Sequence, residues 1–167
     1  MDYSNFLFQV GNYTWLGYML ATFLVVVLNL ADKSYYFGSA VLIMSNLAMQ
    51  VTEPALMRLV NDYNSLIVLV WYPVWALYAM VSVYVIYLLH VRAKLTMGFV
   101  ASSMMISFAG LCTLQVVRFF DRLVFQTDLL GVVYKIGINS INIGCLFILL
   151  FPIAISLKEM LAKRLWG

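Results

Sequence analysis

Long apolar stretches alternate with short polar segments along the chain. A helix needs about 20 mostly apolar residues, or about 17 at the short end, to cross the hydrocarbon core of a bilayer. Stretches of this kind predict spanning helices over 13–30, 35–52, 65–89, 96–117 and 132–157. The pattern therefore predicts an all-α membrane protein, a compact bundle of about five transmembrane helices in one integral-membrane domain, 1–167.

The second stretch is the weakest of these candidates, because it is short and because Asn46 and Gln50 interrupt it. A fold with four spans and a re-entrant hairpin is therefore the alternative. The dipeptide Glu53-Pro54 predicts the end of this helix, since proline disfavours helical conformation at the residue before it. The segments 54–64 and 118–130 mix charged with apolar residues, and they predict amphipathic pieces at the membrane interface.

Composition indicates that lipid, rather than water, surrounds most of the chain. Hydrophobic residue types make up 65% of it and charged types 10%, whereas soluble domains carry roughly 45–50% and about 25%. A chain of 167 residues cannot bury so much apolar surface in a core of its own. Its net charge of +3 is too small to indicate a nucleic-acid partner.

Basic residues in short loops predict which helix ends face the cytoplasm. If the N-terminus is outside, the inner side holds six basic residues, which are Lys33, Arg92, Lys94, Lys158, Lys163 and Arg164. The outer side then holds four, which are Arg58, Arg118, Arg122 and Lys135. This difference predicts an N-out, C-in topology. Small size and short loops are typical of proteins of the bacterial cytoplasmic (inner) membrane, which is the expected location.

Polar residues inside the spans form a first pattern, because such residues are costly in lipid and tend to face protein or water. They fall on narrow stripes of the second and fifth spans, and most of the heavier groups lie near the predicted outer surface. They predict an outward-facing polar vestibule composed of Asn46, Gln50, Glu53, Gln115, Arg118, Lys135, Asn139 and Asn142. Glu53 is expected to pair with Lys135 or Arg118. The alternative interpretation is a buried ion-pair network that fixes the fold.

Small residues form a second pattern, which predicts close helix packing because small side chains let helix backbones approach each other in lipid. This predicted packing face comprises Gly137, Ser140 and Gly144 on the fifth span and Ser103, Ser107 and Gly110 on the fourth. The third span has no polar stripe beyond Ser82. It is therefore expected to pack on the outside of the other spans or to face lipid or a partner.

Catalytic and metal-binding patterns are missing from the sequence. His90 is the single histidine, and its place at the end of a span predicts an interfacial anchor. Cys112 and Cys145 lie in apolar runs without a paired spacing. The chain has no phosphate-binding loop, zinc-protease motif or nucleophile elbow. The sequence therefore predicts no enzymatic activity, no cofactor and no metal site.

These observations favour a non-catalytic subunit or small partner of a membrane assembly. Its expected partners are membrane lipid and either other membrane-protein subunits or copies of itself. The alternative is a small transporter or channel for a polar solute, entered through the vestibule. Ion coupling is disfavoured, because a relay usually places an ionisable residue near the membrane midplane and the predicted spans carry none there. A lipid-modifying enzyme is a third class, but it requires catalytic groups that the sequence lacks.

Overall fold

The structure is a computed structural model that describes residues 3–62 and 67–166, with the side chains of residues 13–58 and 69–161. Within this part of the chain, short connections join five helices and no strand occurs. The helices are α1 Tyr3–Val27, α2 Lys33–Asp62, α3 Ile67–Ala93, α4 Phe99–Leu123 and α5 Gly131–Trp166. The predicted all-α fold is confirmed.

Four of the helices are long and apolar enough to cross a membrane. Their candidate spans are Lys33–Arg58, Leu69–Ala93, Phe99–Leu123 and Gly131–Leu161. The part of α1 whose side chains are described, Tyr13–Val27, is apolar but shorter. The chain is therefore a multi-pass helical membrane protein, and the direction in which the bundle crosses the membrane stays a prediction.

Proline lies inside three helices, at Pro54, Pro73 and Pro152. Membrane helices tolerate proline because neighbouring helices and hydroxyl side chains satisfy the backbone groups that it frees. Consequently α2 does not end at Glu53 but continues through Pro54 to Asp62 as a single helix. The predicted helix end and the re-entrant hairpin are both wrong. In the same way α5 runs past the predicted boundary at 157 to Trp166.

The two predicted interfacial segments are mostly the ends of longer helices. Residues 54–62 complete α2, and residues 118–123 complete α4. Only 124–130 forms a separate connection, which ends at the start of α5. Residues 63–66, which include the end of the first predicted segment, lie outside the described residues. Charged residues near a span end therefore did not mark the end of a helix.

The helices pack as a closed ring in chain order, so that α1 contacts α2 and α5, and each other helix contacts its two neighbours. In addition, α2 and α4 pack against each other across the ring. We call the end with connections 28–32 and 94–98 end I. The opposite end, which holds connection 124–130, is end II. In the predicted topology end I is the inner end and end II is the outer end.

Among the described side chains, the main apolar core lies mostly in the half of the bundle nearer end I. All five helices contribute to it, and its most buried members include Tyr18, Val25, Tyr35, Ile86, Met104, Phe108 and Leu149. Two tyrosines of this core link helices through hydroxyl groups. Tyr18 donates to the carbonyl of Asn142 at 2.8 Å, and Tyr35 donates to the carbonyl of Leu149 at 3.2 Å. These bonds fasten α5 to α1 and α2.

Helix α3 packs on the outside of the ring of contacts that joins α1, α2, α4 and α5, as predicted. It contacts α2 and α4, and one stripe of the helix is buried. This stripe runs through Ala79, Ser82, Ile86 and His90. Small residues allow α3 to approach its neighbours closely, and the Ser82 and His90 side chains bond to serines of α2. Exposed Tyr84 and Tyr87 lie on its other side.

Candidate functional site

The predicted vestibule residues near the helix ends share end II, because α2 and α4 both run towards this end and α5 begins there beside α4. On α4, Gln115 and Arg118 are buried although both are polar. The Tyr134 hydroxyl of α5 donates to Gln115 Oε1 at 2.9 Å. The Arg118 guanidinium lies 5.9 Å from the centroid of the Tyr134 ring, within cation–π range. The α4 and α5 parts of the predicted vestibule thus form one cluster.

Arg118 pairs with two carboxylates that follow it along the chain. Its guanidinium donates to Asp121, one turn later on α4, and to Asp128 in the connection to α5. Asp121 also accepts bonds from the Thr127 hydroxyl and from the Leu130 amide, the latter at 3.3 Å. We call these residues the Arg118 network. This network links the end of α4 to the connection that leads into α5. Both terminal nitrogens of the guanidinium, Nη1 and Nη2, donate to a carboxylate in it.

Glu53 does not take part in this network. Among the described side chains, no ion pair joins Glu53 to Arg118 or to Lys135, so the expected pairing is not formed. Glu53 and Gln50 lie half-buried on α2, and Lys135 is exposed on α5. The sequence did contain the signal for the true partner. Asp121 stands three residues after Arg118, a spacing that places two helical side chains on the same face.

The three asparagines of the predicted vestibule contact helix backbones. Asn46 Nδ2 donates to the carbonyl of Leu42 at 3.0 Å, and Asn139 Nδ2 donates to the carbonyl of Lys135 at 2.8 Å. Each of these bonds lies within its own helix, four residues back. Asn142 uses its main-chain carbonyl to accept the Tyr18 hydroxyl. These contacts satisfy polar groups inside the bundle and bring no further charge to end II.

The predicted small-residue face divides into two parts. A β-carbon at Gly137 would lie 2.8 Å from Leu114 Cδ1, and one at Gly110 would lie 3.3 Å from Ile141 Cδ1. These two glycines therefore sit in the α4–α5 contact. By contrast, a β-carbon at Gly144 would meet no atom within 4 Å, and Ser140 is exposed. On α4, the other two predicted members, Ser103 and Ser107, are half-buried.

A polar cluster at end I was not foreseen from the sequence. His90 is buried rather than interfacial, and its Nε2 lies 2.8 Å from Ser34 Oγ. Its Nδ1 lies 2.7 Å from the Ile86 carbonyl, and the Gly98 amide donates to Ser34 Oγ at 2.8 Å. Because a carbonyl only accepts, Nδ1 carries the proton, and Nε2 accepts the Ser34 hydroxyl. This Ser34–His90 cluster joins the start of α2, the end of α3 and the residue before α4.

A serine hydroxyl bonded to a histidine nitrogen also occurs in nucleophilic enzymes. Here both side chains are buried, and the Ser34 oxygen already accepts the Gly98 amide. The arrangement therefore holds three helix ends together by satisfying buried polar groups. The position of His90 at a span end had predicted an anchor in the membrane interface. The sequence could not show the actual contact, because spacing alone does not reveal that a serine on another helix faces this ring.

Comparison of the chain with family models, curated proteins and solved structures finds no match. Function is accordingly inferred from the residues and their arrangement in the bundle.

The Arg118 network predicts a loss of stability in acid. The Arg118 guanidinium beside Asp128 lowers the pKa of that carboxyl below its usual range, chiefly through the hydrogen bond and then through charge. A lowered pKa in the folded state means that the contribution is complete at neutral pH, above the unfolded pKa of about 4, and is lost as pH falls further. We expect the melting temperature in detergent to fall below pH 4 and this fall to be smaller in Asp128→Asn. Equal acid dependence in both proteins would contradict this role.

Proposed function

We propose that this protein is a non-catalytic, multi-pass subunit of an assembly in the bacterial cytoplasmic membrane, which forms through contacts of α5 with a second copy or with another membrane protein. The observation that supports this proposal best is the small-residue face around Gly144, which is only half-buried and has open space where a side chain would lie. Small residues four positions apart, here Ser140 and Gly144, allow a helix of another chain to approach closely. The chain's own helices do not cover this position.

The surroundings of Gly144 fit the same role. Ile136, Ile143 and Phe147 are exposed large apolar side chains on α5, and they flank the two small residues at helical spacing. Of the candidate spans, the one in α5 has the highest mean hydropathy and the smallest buried share. A helix of this kind has most of its surface available for lipid or for another helix. Van der Waals packing around small residues is the main source of association between helices in lipid.

The proposal predicts that Gly144→Leu changes assembly without unfolding the chain. The new side chain has open space in the isolated protein, so we expect the melting temperature to stay within about 2 °C of the wild type, since surface changes usually remain within ±0.5 kcal/mol. At an interface the same side chain overpacks the contact, which typically costs about 1–3 kcal/mol. The measurement is the mass of the protein in mild detergent and in nanodiscs, together with any protein that co-purifies.

Gly137→Leu is the matched control, because it makes the same change on the same helix. There the side chain runs into Leu114, so this variant should lose thermal stability whatever the state of assembly. An assembly that keeps its full mass in Gly144→Leu would rule out this face as the contact. A wild type that is a stable monomer with no companion would instead favour the alternative function, transport of a polar solute.

A further inference from the structure

A cavity of about 340 Å³ lies at end I, where the end of α1 and the starts of α2 and α4 face the second half of α5. Its wall changes character along α5. Phe151 and Ile155 line it towards the membrane centre, and Ser156 and Glu159 line it towards the helix end. The cavity therefore has an apolar part and a polar part, as a site for an amphiphilic molecule requires.

The charge of this cavity is opposite to the charge around it. End I carries six basic residues in the chain's sequence but only two acidic ones, Asp32 and Glu159. Both acidic residues line the cavity, and its described lining contains no basic side chain. Two carboxylates without a basic neighbour in the wall disfavour an anionic ligand and favour a cationic one.

The position of Asp32 is fixed by its own hydrogen bond. One of its oxygens, Oδ1, accepts the Tyr35 amide at 2.5 Å and so caps the start of α2. Oδ2 would lie 3.4 Å from a β-carbon at Gly98, which is itself part of the cavity wall. Because position 98 is a glycine, Oδ2 keeps its place beside the cavity. The carboxylate is thus held in one orientation before any ligand arrives.

Two aromatic rings complete the wall. The Phe99 and Phe151 ring centroids are 4.5 Å apart, with an angle of 38° between the planes, and both residues are partly exposed. An aromatic ring face attracts a cation within about 6 Å of its centroid and also contacts hydrocarbon. A wall of carboxylates and aromatic rings is the combination that recognises ammonium groups.

We propose that this cavity binds an ammonium group carried on a hydrocarbon stem. The charged group lies between Asp32 and Glu159, and the stem lies along Phe99, Phe151 and Ile155. Binding at this site goes beyond the proposed assembly function and does not depend on it, because the small-residue face around Gly144 does not line the cavity. The same chemistry is available from an aminophospholipid of the membrane or from a soluble alkylammonium compound.

The test uses the full chain in mild detergent, with decylammonium as the probe and decanol and decyl sulfate as matched compounds. A ligand that binds the folded state raises the melting temperature in a saturable way. We expect this rise with decylammonium alone. In Asp32→Asn/Glu159→Gln the half-saturating concentration should increase about tenfold, equivalent to about 1.4 kcal/mol. Asp32→Asn keeps an oxygen for the Tyr35 amide, so the start of α2 retains its cap.

Two further variants keep the test decisive if the double variant is unstable. Glu53→Gln removes a carboxylate of α2 that does not line the cavity, and this variant should respond as the wild type does. Ser156→Trp fills the cavity while both carboxylates remain, and it should lose the response. An equal response to decanol, or a wild-type response in both cavity variants, would overturn the proposal.

The source of the ammonium group is distinguished by mass spectrometry of the intact protein after extraction from membranes that contain phosphatidylethanolamine. If this lipid is retained by the wild type and lost from the double variant, the ligand is the aminophospholipid. If no lipid is retained while the response to decylammonium persists, the ligand is a soluble alkylammonium compound. If both the retained lipid and the response are absent, the cavity is not an ammonium site.

Discussion

Replacing Arg118 with methionine is expected to lower the free energy of unfolding clearly more than Arg122→Met does, because this change leaves the Asp121 carboxylate without its counter-ion. The side chain of Asp121 is only 4% exposed, and Arg118 neutralises it within the same turn of α4. Methionine keeps the aliphatic part of the side chain but not the guanidinium. The loss therefore reports the charge and the bonds of the guanidinium rather than the packing of the stem, and equilibrium unfolding in mixed detergent micelles measures it.

Arg122→Met is the control for this experiment. Arg122 lies 3.8 Å from Asp128, and both side chains are largely exposed, at 42% and 66%. Exposed ion pairs contribute only about 0–1 kcal/mol, so this variant should remain close to the wild type. A second test combines Arg118→Met with Asp121→Leu, which removes both buried charges and should recover part of the loss. Equal losses in the two single variants would show that burial of Asp121 is not what matters.

Ser34→Ala is expected to have the next largest effect, a loss of about 2–4 kcal/mol in the free energy of unfolding. The change removes the partner of the Gly98 amide and of His90 Nε2, and each buried group left unsatisfied costs about 1–3 kcal/mol. Because His90 is the single histidine, ¹⁵N-histidine NMR observes only this ring. We expect the wild type to show a proton on Nδ1 and Ser34→Ala to shift the signal of Nε2.

Ser45→Ala provides the comparison for Ser34→Ala, since it also removes a serine hydroxyl that bonds between helices. The Ser45 hydroxyl lies 2.6 Å from that of Ser82, but Ser82 also donates to the Tyr78 carbonyl at 2.7 Å. Loss of the Ser45 hydroxyl therefore leaves the Ser82 hydroxyl bonded. The free energy of unfolding should fall by less than about 1 kcal/mol, near the average of about 0.6 kcal/mol for such bonds in membranes. A loss as large as that of Ser34→Ala would contradict the role assigned to the Gly98 amide and His90.

The helices themselves could be predicted because the length of an apolar stretch is a strong signal. Their ends could not, because the effect of a proline depends on the surrounding helices as well as on the local chain. Pro54 shows this dependence, since α2 continues for eight residues beyond it to Asp62. The partners of α3 could not be predicted for a similar reason, since the spacing of Ser82 and His90 does not reveal that Ser45 and Ser34 of α2 face them.

The candidate sites show the same limit of sequence patterns. A helical stripe fixes the direction in which side chains point, but it does not fix which neighbouring helix they reach. Gly137 and Gly144 point in nearly the same direction from α5, yet they are separated by about 10 Å along the axis. Leu114 occupies the space beside Gly137, whereas no atom occupies the corresponding space beside Gly144. Only the three-dimensional course of α4 beside α5 distinguishes them.

The uneven position of the core has a consequence for how the bundle opens. Among the described side chains, the apolar cluster near end I includes residues of every helix, whereas at end II α4 and α5 are joined largely by bonds between polar and charged groups. Local unfolding starts where few apolar contacts have to break. We therefore expect the ends of α4 and α5 near Arg118 to open locally more often than the part that contains Met104 and Phe108.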